Sequence, residues 1–410
     1  MNRRDLLKAM LASGVGAASY SATAGQLKLI NALSQQNRFD DYKAIVCVFL
    51  YGGNDSYNML IPTEASDYST YANVRQNLAI AQESVLPLTT SSTTPYSVSL
   101  PNSMSAIGQL FHDQQLSFIT NVGPLVEPTT KSSILANTAN LPPQLFSHND
   151  QQKLWMKANN DLTKATGWAG RMADLLTDVN PQTNIPLNLS MSGTNVLQTA
   201  SQQTMYALTP EGPQMFGGLD PTANWNERRI SILDQLISLN THKIGQAYSS
   251  KLNQARTNAL IVDAALKNAP KINTEFNDNR LEDDLNMVAQ MISARDELNM
   301  ERQVFFVGFG GWDTHDNQVE QHPELLTTLA DALANFNTAL TELNIADKVT
   351  TYTASEFGRT LTSNGDGTDH GWGGHQMVMG GAVEGGNIFG QLPSLELDSE
   401  DDAGEGRIIP

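Results

Sequence analysis

The sequence predicts an α/β fold on a mostly parallel central sheet, with a helix-rich insertion over about residues 160–300. Residues 44–50 and 303–309 are short, nearly continuous apolar runs, and 348–354 is rich in β-branched residues. Such runs suit strands buried on both faces of a parallel sheet. Each leads directly into a loop bearing acidic or imidazole groups: Tyr51-Gly-Gly-Asn-Asp55, Gly310-Gly-Trp-Asp-Thr-His315 and Ser355-Glu-Phe-Gly-Arg359. The ends of adjacent strands are where open α/β sheets hold their ligands.

The N-terminus reads as an address. Asn2-Arg-Arg-Asp-Leu-Leu-Lys8 is followed by a weakly apolar stretch from Ala9 to about Ser19 and then by Ala22-Thr-Ala24. This resembles a twin-arginine signal with a small-x-small cleavage site, so residues 1–24 are expected to be a removable leader. The export machinery is the partner this implies, and the location is periplasmic or secreted. A single domain is expected over 40–410.

Residues 44–50 form the first strand and contain the one cysteine, Cys47, which excludes an intramolecular disulfide. The Ser/Thr-rich stretch 89–99 reads as an exposed loop, and 116–122 as a second strand. A helix is expected over 151–157, another opens at 167–171, and 185–192 reads as a strand. Helical periodicity then marks 226–268 and 280–301, through Ile230, Leu233, Leu236 and Ile237, and later Leu285, Val288 and Ile292. The strand 303–309 follows. Residues 322–343 form an amphipathic helix with Leu325, Leu329, Leu333, Phe336 and Leu340 on one face. The last strands are 348–354 and 377–383.

Composition narrows the function classes. The 410 residues are 40% hydrophobic and 17% charged, with a net charge of -18. That charge argues against a nucleic-acid partner, and no apolar stretch approaches a membrane span. A small anionic substrate remains compatible, because a bound metal reverses the local field.

The densest chemistry lies in Asp369-His370-Gly-Trp-Gly-Gly-His375. On a glycine-rich loop, adjacent Asp369 and His370 can both turn toward one centre, and His375 can close the shell. Asp313 and His315 form a shorter pair whose alternative reading is a hydrogen-bonded turn. Glu356 follows its strand directly as a further ligand candidate. Arg359 could clamp an anionic oxygen or form a local ion pair. Imidazoles with carboxylates suit zinc, and more carboxylate-rich shells suit manganese, magnesium or calcium. One or two divalent ions are expected, zinc first. Ser147 precedes the helix at 151–157, either as its N-cap or as a nucleophile at a helix N-terminus beside His148. There is no G-x-S-x-G elbow, phosphate-binding P-loop or dinucleotide fingerprint.

These motifs, with Phe49-Leu-Tyr-Gly-Gly-Asn-Asp-Ser56 and Phe146-Ser-His-Asn-Asp-Gln151, resemble in order the bacterial domain-of-unknown-function 1501 family. The resemblance covers essentially the whole chain after the leader. It implies a distant relationship to the alkaline phosphatase and sulfatase superfamily, and so a three-layer α/β/α sandwich. By that resemblance Asp55 stands at a first-strand metal ligand, and Ser147, or His148, at the nucleophile. Asp313 and His315 stand at an Asp-x-x-x-His pair with one intervening residue instead of three. In Ala354-Ser-Glu-Phe-Gly358, Glu356 and Phe357 replace Asp and His, a loss that Asp369, His370 and His375 could offset. No sulfatase Cys-x-Pro-x-Arg signature is present. Family members continue past a Gly-Arg-x-Ile-Pro run like Gly406–Pro410, which implies a truncated C-terminus here. The expected activity is a metal-dependent hydrolase or transferase of phosphate, phosphonate or sulfate esters, free or on a decorated glycan, with Ser147, His148 and Arg359 catalytic. The alternative is a non-catalytic extracytoplasmic binding protein on the same fold.

Overall fold

The computed structural model describes residues 41–91, 97–180, 182–219, 224–239 and 242–410. The expected leader, 1–24, lies outside the described residues.

In chain order the strands are β1 (Lys43–Leu50), β2 (Leu116–Val122), β3 (Asn188–Ser190), β4 (Tyr206–Ala207), β5 (Arg302–Phe309) and β6 (Val349–Ser355). A separate hairpin follows, β7 (Arg359–Ser363) and β8 (Thr368–His370), and then β9 (Gly374–Met379) and β10 (Ile388–Phe389). All but the hairpin form one eight-stranded sheet, in the spatial order β10-β2-β9-β6-β1-β5-β3-β4. Only β9 runs against the rest, pairing antiparallel with both β6 and β2. A small three-stranded sheet of Ile61–Pro62, Val85–Pro87 and Val98–Pro101 lies apart from it.

The helices of eight residues or more are α1 (Ala65–Arg75), α2 (Ser105–His112), α3 (His148–Lys157), α4 (Trp168–Leu175), α5 (Glu227–Ser238), α6 (Lys243–Asn268), α7 (Arg280–Ser293) and α8 (Gln318–Glu342). They cover both faces of the sheet, and the strand sequences say why. Along β1, Ala44, Val46, Val48 and Leu50 enter one core, while Cys47 and Phe49 enter another. In β5, Phe305 and Val307 join the first core, and Val304 and Phe306 the second. Side chains alternate across a strand, so a continuous apolar run supplies both layers at once. The first core is closed by α2, α7 and α8, through Phe111, Leu285 and Phe336 among others; the second is closed by Met156 of α3 and Ala169 and Ala173 of α4.

Several boundaries differ from expectation: α3 starts at His148 instead of 151, the strand expected over 185–192 is confined to Asn188–Ser190, the helix expected over 280–301 ends at Ser293, and the loop expected over 89–99 gives way to a strand at Val98. Helix α8 starts at Gln318, a turn before His322, after Asn317 in the left-handed region (φ 53°). Strand β9 starts at Gly374 and stops at Met379, because Gly380 turns the chain at φ 139°. The 160–300 segment carries α4 to α7; it also carries β3 and β4, which extend the central sheet beyond β5. Among the described residues, no helix is long and apolar enough to cross a membrane.

Candidate metal centre

The C-terminal ends of β1, β5 and β6 lie side by side, with Leu50 in register with Phe309 and with Ser355. The loops leaving them therefore meet. The β1 loop turns at Gly52 and Gly53, with φ of 125° and 88°. A Cβ on Gly52 would sit 2.2 Å from the Asp313 nitrogen, and one on Gly53 2.4 Å from the Phe357 ring. Only glycine fits this conformation and this spacing. The first residue of α3, His148, enters from one side, and the β7–β8 hairpin brings Arg359, Asp369 and His370 from the other.

Three imidazoles surround Asp313. His148 Nδ1–H donates to Glu356 Oε1 (2.9 Å), His315 Nδ1–H to Asp369 Oδ1 (3.1 Å) and His370 Nδ1–H to the Phe146 carbonyl (2.8 Å). Each acceptor can only receive a hydrogen, so each fixes the tautomer and leaves Nε2 with a free lone pair. Those lone pairs converge. His148 Nε2 lies 3.3 Å from Asp313 Oδ2; His315 Nε2 and His370 Nε2 lie 3.1 and 3.2 Å from Asp313 Oδ1. His315 Nε2 and His370 Nε2 are 3.0 Å apart. Lone pairs facing lone pairs repel unless a cation or an added proton stands among them. Ligand atoms about 3.3 Å apart are also what a tetrahedral ion with about 2.0 Å bonds requires. Ligand atoms of His148, Asp313 and His370 all fall within 4.8 Å of one another. Metal-bound histidines characteristically tie their second nitrogen to a carboxylate or a backbone carbonyl, so the donor set fits a divalent ion such as zinc.

The supporting groups are buried. Glu356 is fully buried, and its Oε1 also accepts from Gly52 N–H (2.9 Å) and Gln152 Nε2 (2.9 Å). Its Oε2 is buried and unpartnered among the described residues. The Glu356 bond outweighs burial and raises the pKa of His148 above the ordinary imidazole value. Burial lowers that of His370. Burial alone would raise the Asp313 carboxyl, but the Arg359 hydrogen bond and charge, helped by His148 and His315, hold it below the usual range.

Several expected roles change. Arg359 is fully buried and spends its hydrogen bonds on the chain itself: Nη1 on Asp313 Oδ1 (2.7 Å) and the Gly52 carbonyl (3.1 Å), Nη2 on the Thr368 carbonyl, and Nε on Thr368 Oγ1 (3.2 Å). It holds Asp313 in place and is not free to clamp a substrate. Ser147 occupies the N-cap position of α3 but donates to Asp150 Oδ2 (2.9 Å), making no side-chain bond to the helix backbone. The side-chain cap does not form. Asp55 is fully buried and paired with Arg75 of α1 and Gln318 of α8 instead of facing the imidazoles. His375 lies in a different cleft, its Nδ1 accepting from Asn121 N–H (3.1 Å). The structure thus gathers His148, Asp313, His315, Glu356, Arg359, Asp369 and His370 and leaves Asp55 and His375 apart.

The sequence reading missed Gln152, Thr368, Gln318 and Arg75. Gln152 stands four residues after His148, so it shares that helix face once α3 is known to begin at His148. Thr368, Gln318 and Arg75 carry no local signal. They join the site through a hydrogen-bond chain from Arg359 to Thr368 Oγ1, from Thr368 to Gln318 Oε1 (2.7 Å), and from Gln318 to Asp55.

Fold and site together define an α/β protein with a mostly parallel sheet and a histidine–carboxylate crevice at its strand ends. The chain belongs to the family described as protein of unknown function (DUF1501), whose sequence profile matches residues 42–405. No curated protein matches it. Among solved structures it is similar to Ps i-CgsB at 10% identity, over 87% of this chain and 70% of that one, with a TM-score of 0.35. It is also similar to the PsFucS1 sulfatase from Pseudoalteromonas sp., at 10% identity over 91% of this chain and 69% of that one, with a TM-score of 0.34.

Proposed function

We propose that this protein is an exported, metal-dependent hydrolase or transferase acting on a phosphate, phosphonate or sulfate ester, with the metal held by His148, Asp313 and His370 and by His315 beside them. The carrying observation is the convergence of three Nε2 lone pairs on Asp313, each ring fixed from behind by Glu356, Asp369 or the Phe146 carbonyl. A divalent ion bound there would supply Lewis acidity toward an ester oxygen and toward water.

The chain's own residues prepare that centre. Arg359 keeps Asp313 ionised and aimed at the crevice. Glu356 and Gln152 hold His148 in the tautomer that presents Nε2. Phe357 packs its ring 4.9 Å from His148 and 4.6 Å from His370, which limits water on that side and fixes both imidazoles. Asp313 and His315 remain part-exposed, so a substrate can reach the centre from solvent. With the Ser147 hydroxyl bound to Asp150, water is the acceptor this geometry favours for a hydrolase. The twin-arginine-like start at Arg3-Arg4 supports export through that machinery.

A second reading has its own support. Phe357 stands where the superfamily resemblance implies an imidazole, and it is buried. A protein that kept the ion to bind a sulfated or phosphorylated glycan, without turning it over, would look the same at that position. Elemental analysis of the purified protein, beside assays on aryl phosphate mono- and diesters, phosphonates and sulfates, separates the two. Bound metal with turnover supports the enzyme, and bound metal without turnover on any ester supports the binding protein. A chain that takes up no zinc, manganese or calcium excludes both.

A further inference from the structure

A second cleft, of about 340 Å³, opens between Tyr57 and Leu60, the start of α1 and the 392–396 loop. It shares no lining residue with the histidine–carboxylate crevice. We propose that this cleft binds a small organic cation: an ammonium group on an apolar body that also carries a hydroxyl or carbonyl oxygen.

His375 supplies the specific polar contact. The ring is only 2% exposed, and its Nδ1 accepts from Asn121 N–H (3.1 Å). Its hydrogen is therefore on Nε2, which has no hydrogen-bond partner among the described residues. Tyr57 packs against the ring in an edge-to-face contact at 5.3 Å and spends its own hydroxyl on the Gly373 carbonyl (2.9 Å). An Nε2–H that no protein group accepts is free to donate to a ligand oxygen entering the cleft.

The walls and rim give the rest of the ligand. Leu60, Val98, Leu392 and Leu395 line the sides, which suits an apolar body. Glu64, Asp67 and Glu396 stand at the opening, and no lysine or arginine is among the lining residues. Three carboxylates without a cation favour a positive ligand head. A metal ion is not the answer here. Among the described residues, the one group of three or more His, Cys, Asp or Glu close enough to share an ion is His148, Asp313 and His370. The acidic groups of this cleft are too dispersed for that, and an extended molecule can meet a carboxylate at the rim and His375 inside. The volume lies within the range of about 300–1,000 Å³ typical of small-molecule sites.

The test uses three probes with one body and different charges: tyramine (cationic), tyrosol (neutral) and 4-hydroxyphenylacetate (anionic). Each is titrated into the full chain by calorimetry, with the His375 ring signals followed by NMR. Tyramine is expected to bind at least about tenfold more tightly than tyrosol and to shift the His375 Nε2 resonance, while 4-hydroxyphenylacetate does not bind. The rim variant Glu64→Gln/Glu396→Gln, on exposed positions, is expected to keep its melting temperature and to lose about tenfold in tyramine affinity. Equal binding of the three probes, no tyramine binding, or unchanged affinity in the rim variant would each overturn the proposal. None of these results depends on metal at the other site.

Discussion

At the scale of single residues, the centre is controlled from behind. Glu356 is buried and touches no solvent, yet it decides which nitrogen of His148 faces Asp313. Replacing Glu356 with Ala is expected to lower zinc affinity by about 10–100-fold, the usual effect of losing a residue that orients a ligand. Asp313→Ala should remove binding altogether. Competition against a chromophoric chelator measures both, and equal losses in the two variants would contradict the division of labour. A different single-residue effect belongs to Gly53. Its φ of 88° and the 2.4 Å that would separate an alanine Cβ from the Phe357 ring predict that Gly53→Ala destabilises the fold by about 2 kcal/mol. A urea melt reads this directly, and a change under about 0.5 kcal/mol would show that Phe357 has room to move.

At the scale of elements, the loop after β1 and helix α1 are joined by a buried ion pair, Asp55 with Arg75, both almost fully enclosed. Arg75 also donates from Nη1 to the Thr360 and Leu361 carbonyls (3.0 and 3.1 Å), tying α1 to β7. Arg75→Met would leave the buried Asp55 with only the Gln318 hydrogen bond and no cation, at a cost of about 3–5 kcal/mol. The double variant Asp55→Asn/Arg75→Met should recover part of that loss, as denaturant midpoints for the single and double variants would show. This pair also marks where sequence reading stops. The strands were legible because a run such as Val46-Cys-Val-Phe-Leu50 must feed two cores. The ligand-bearing loops were legible because each follows such a run. What a glycine turn followed by an aspartate does not reveal is direction. Asp55 and Asp313 share that local pattern, yet Asp55 turns inward to an arginine on α1 and Asp313 turns out to the crevice. His370 and His375 are likewise five residues apart and end in different clefts, because β8 and β9 belong to different sheets. Such choices are made by contacts distant in sequence.

At the scale of the whole molecule, two buried histidines outside the proposed ligand set link stability to acidity. Burial pushes the pKa of His322 and His375 down to about 4. Their folded-state values thus lie below an unfolded value near 6.5, so the unfolded chain binds protons more readily. Stability from these neutral rings is complete above about pH 6.5 and is lost as pH falls toward 4. Denaturant midpoints taken at pH 7, 5.5 and 4.5 should fall in that order, and His322→Gln should flatten the trend; a midpoint that rises on acidification would contradict it. The sheet carries the strand ends, the strand ends carry the loops, and the loops bring three lone pairs to one carboxylate. The most direct test of that centre is the metal content of the purified full chain by elemental analysis, beside the triple variant His148→Ala/Asp313→Ala/His370→Ala. One or more equivalents of a divalent metal, zinc first, in the parent chain and none in the variant is the predicted result. A parent chain that stays metal-free after incubation with zinc, manganese and calcium, or a variant that retains its metal, would contradict it.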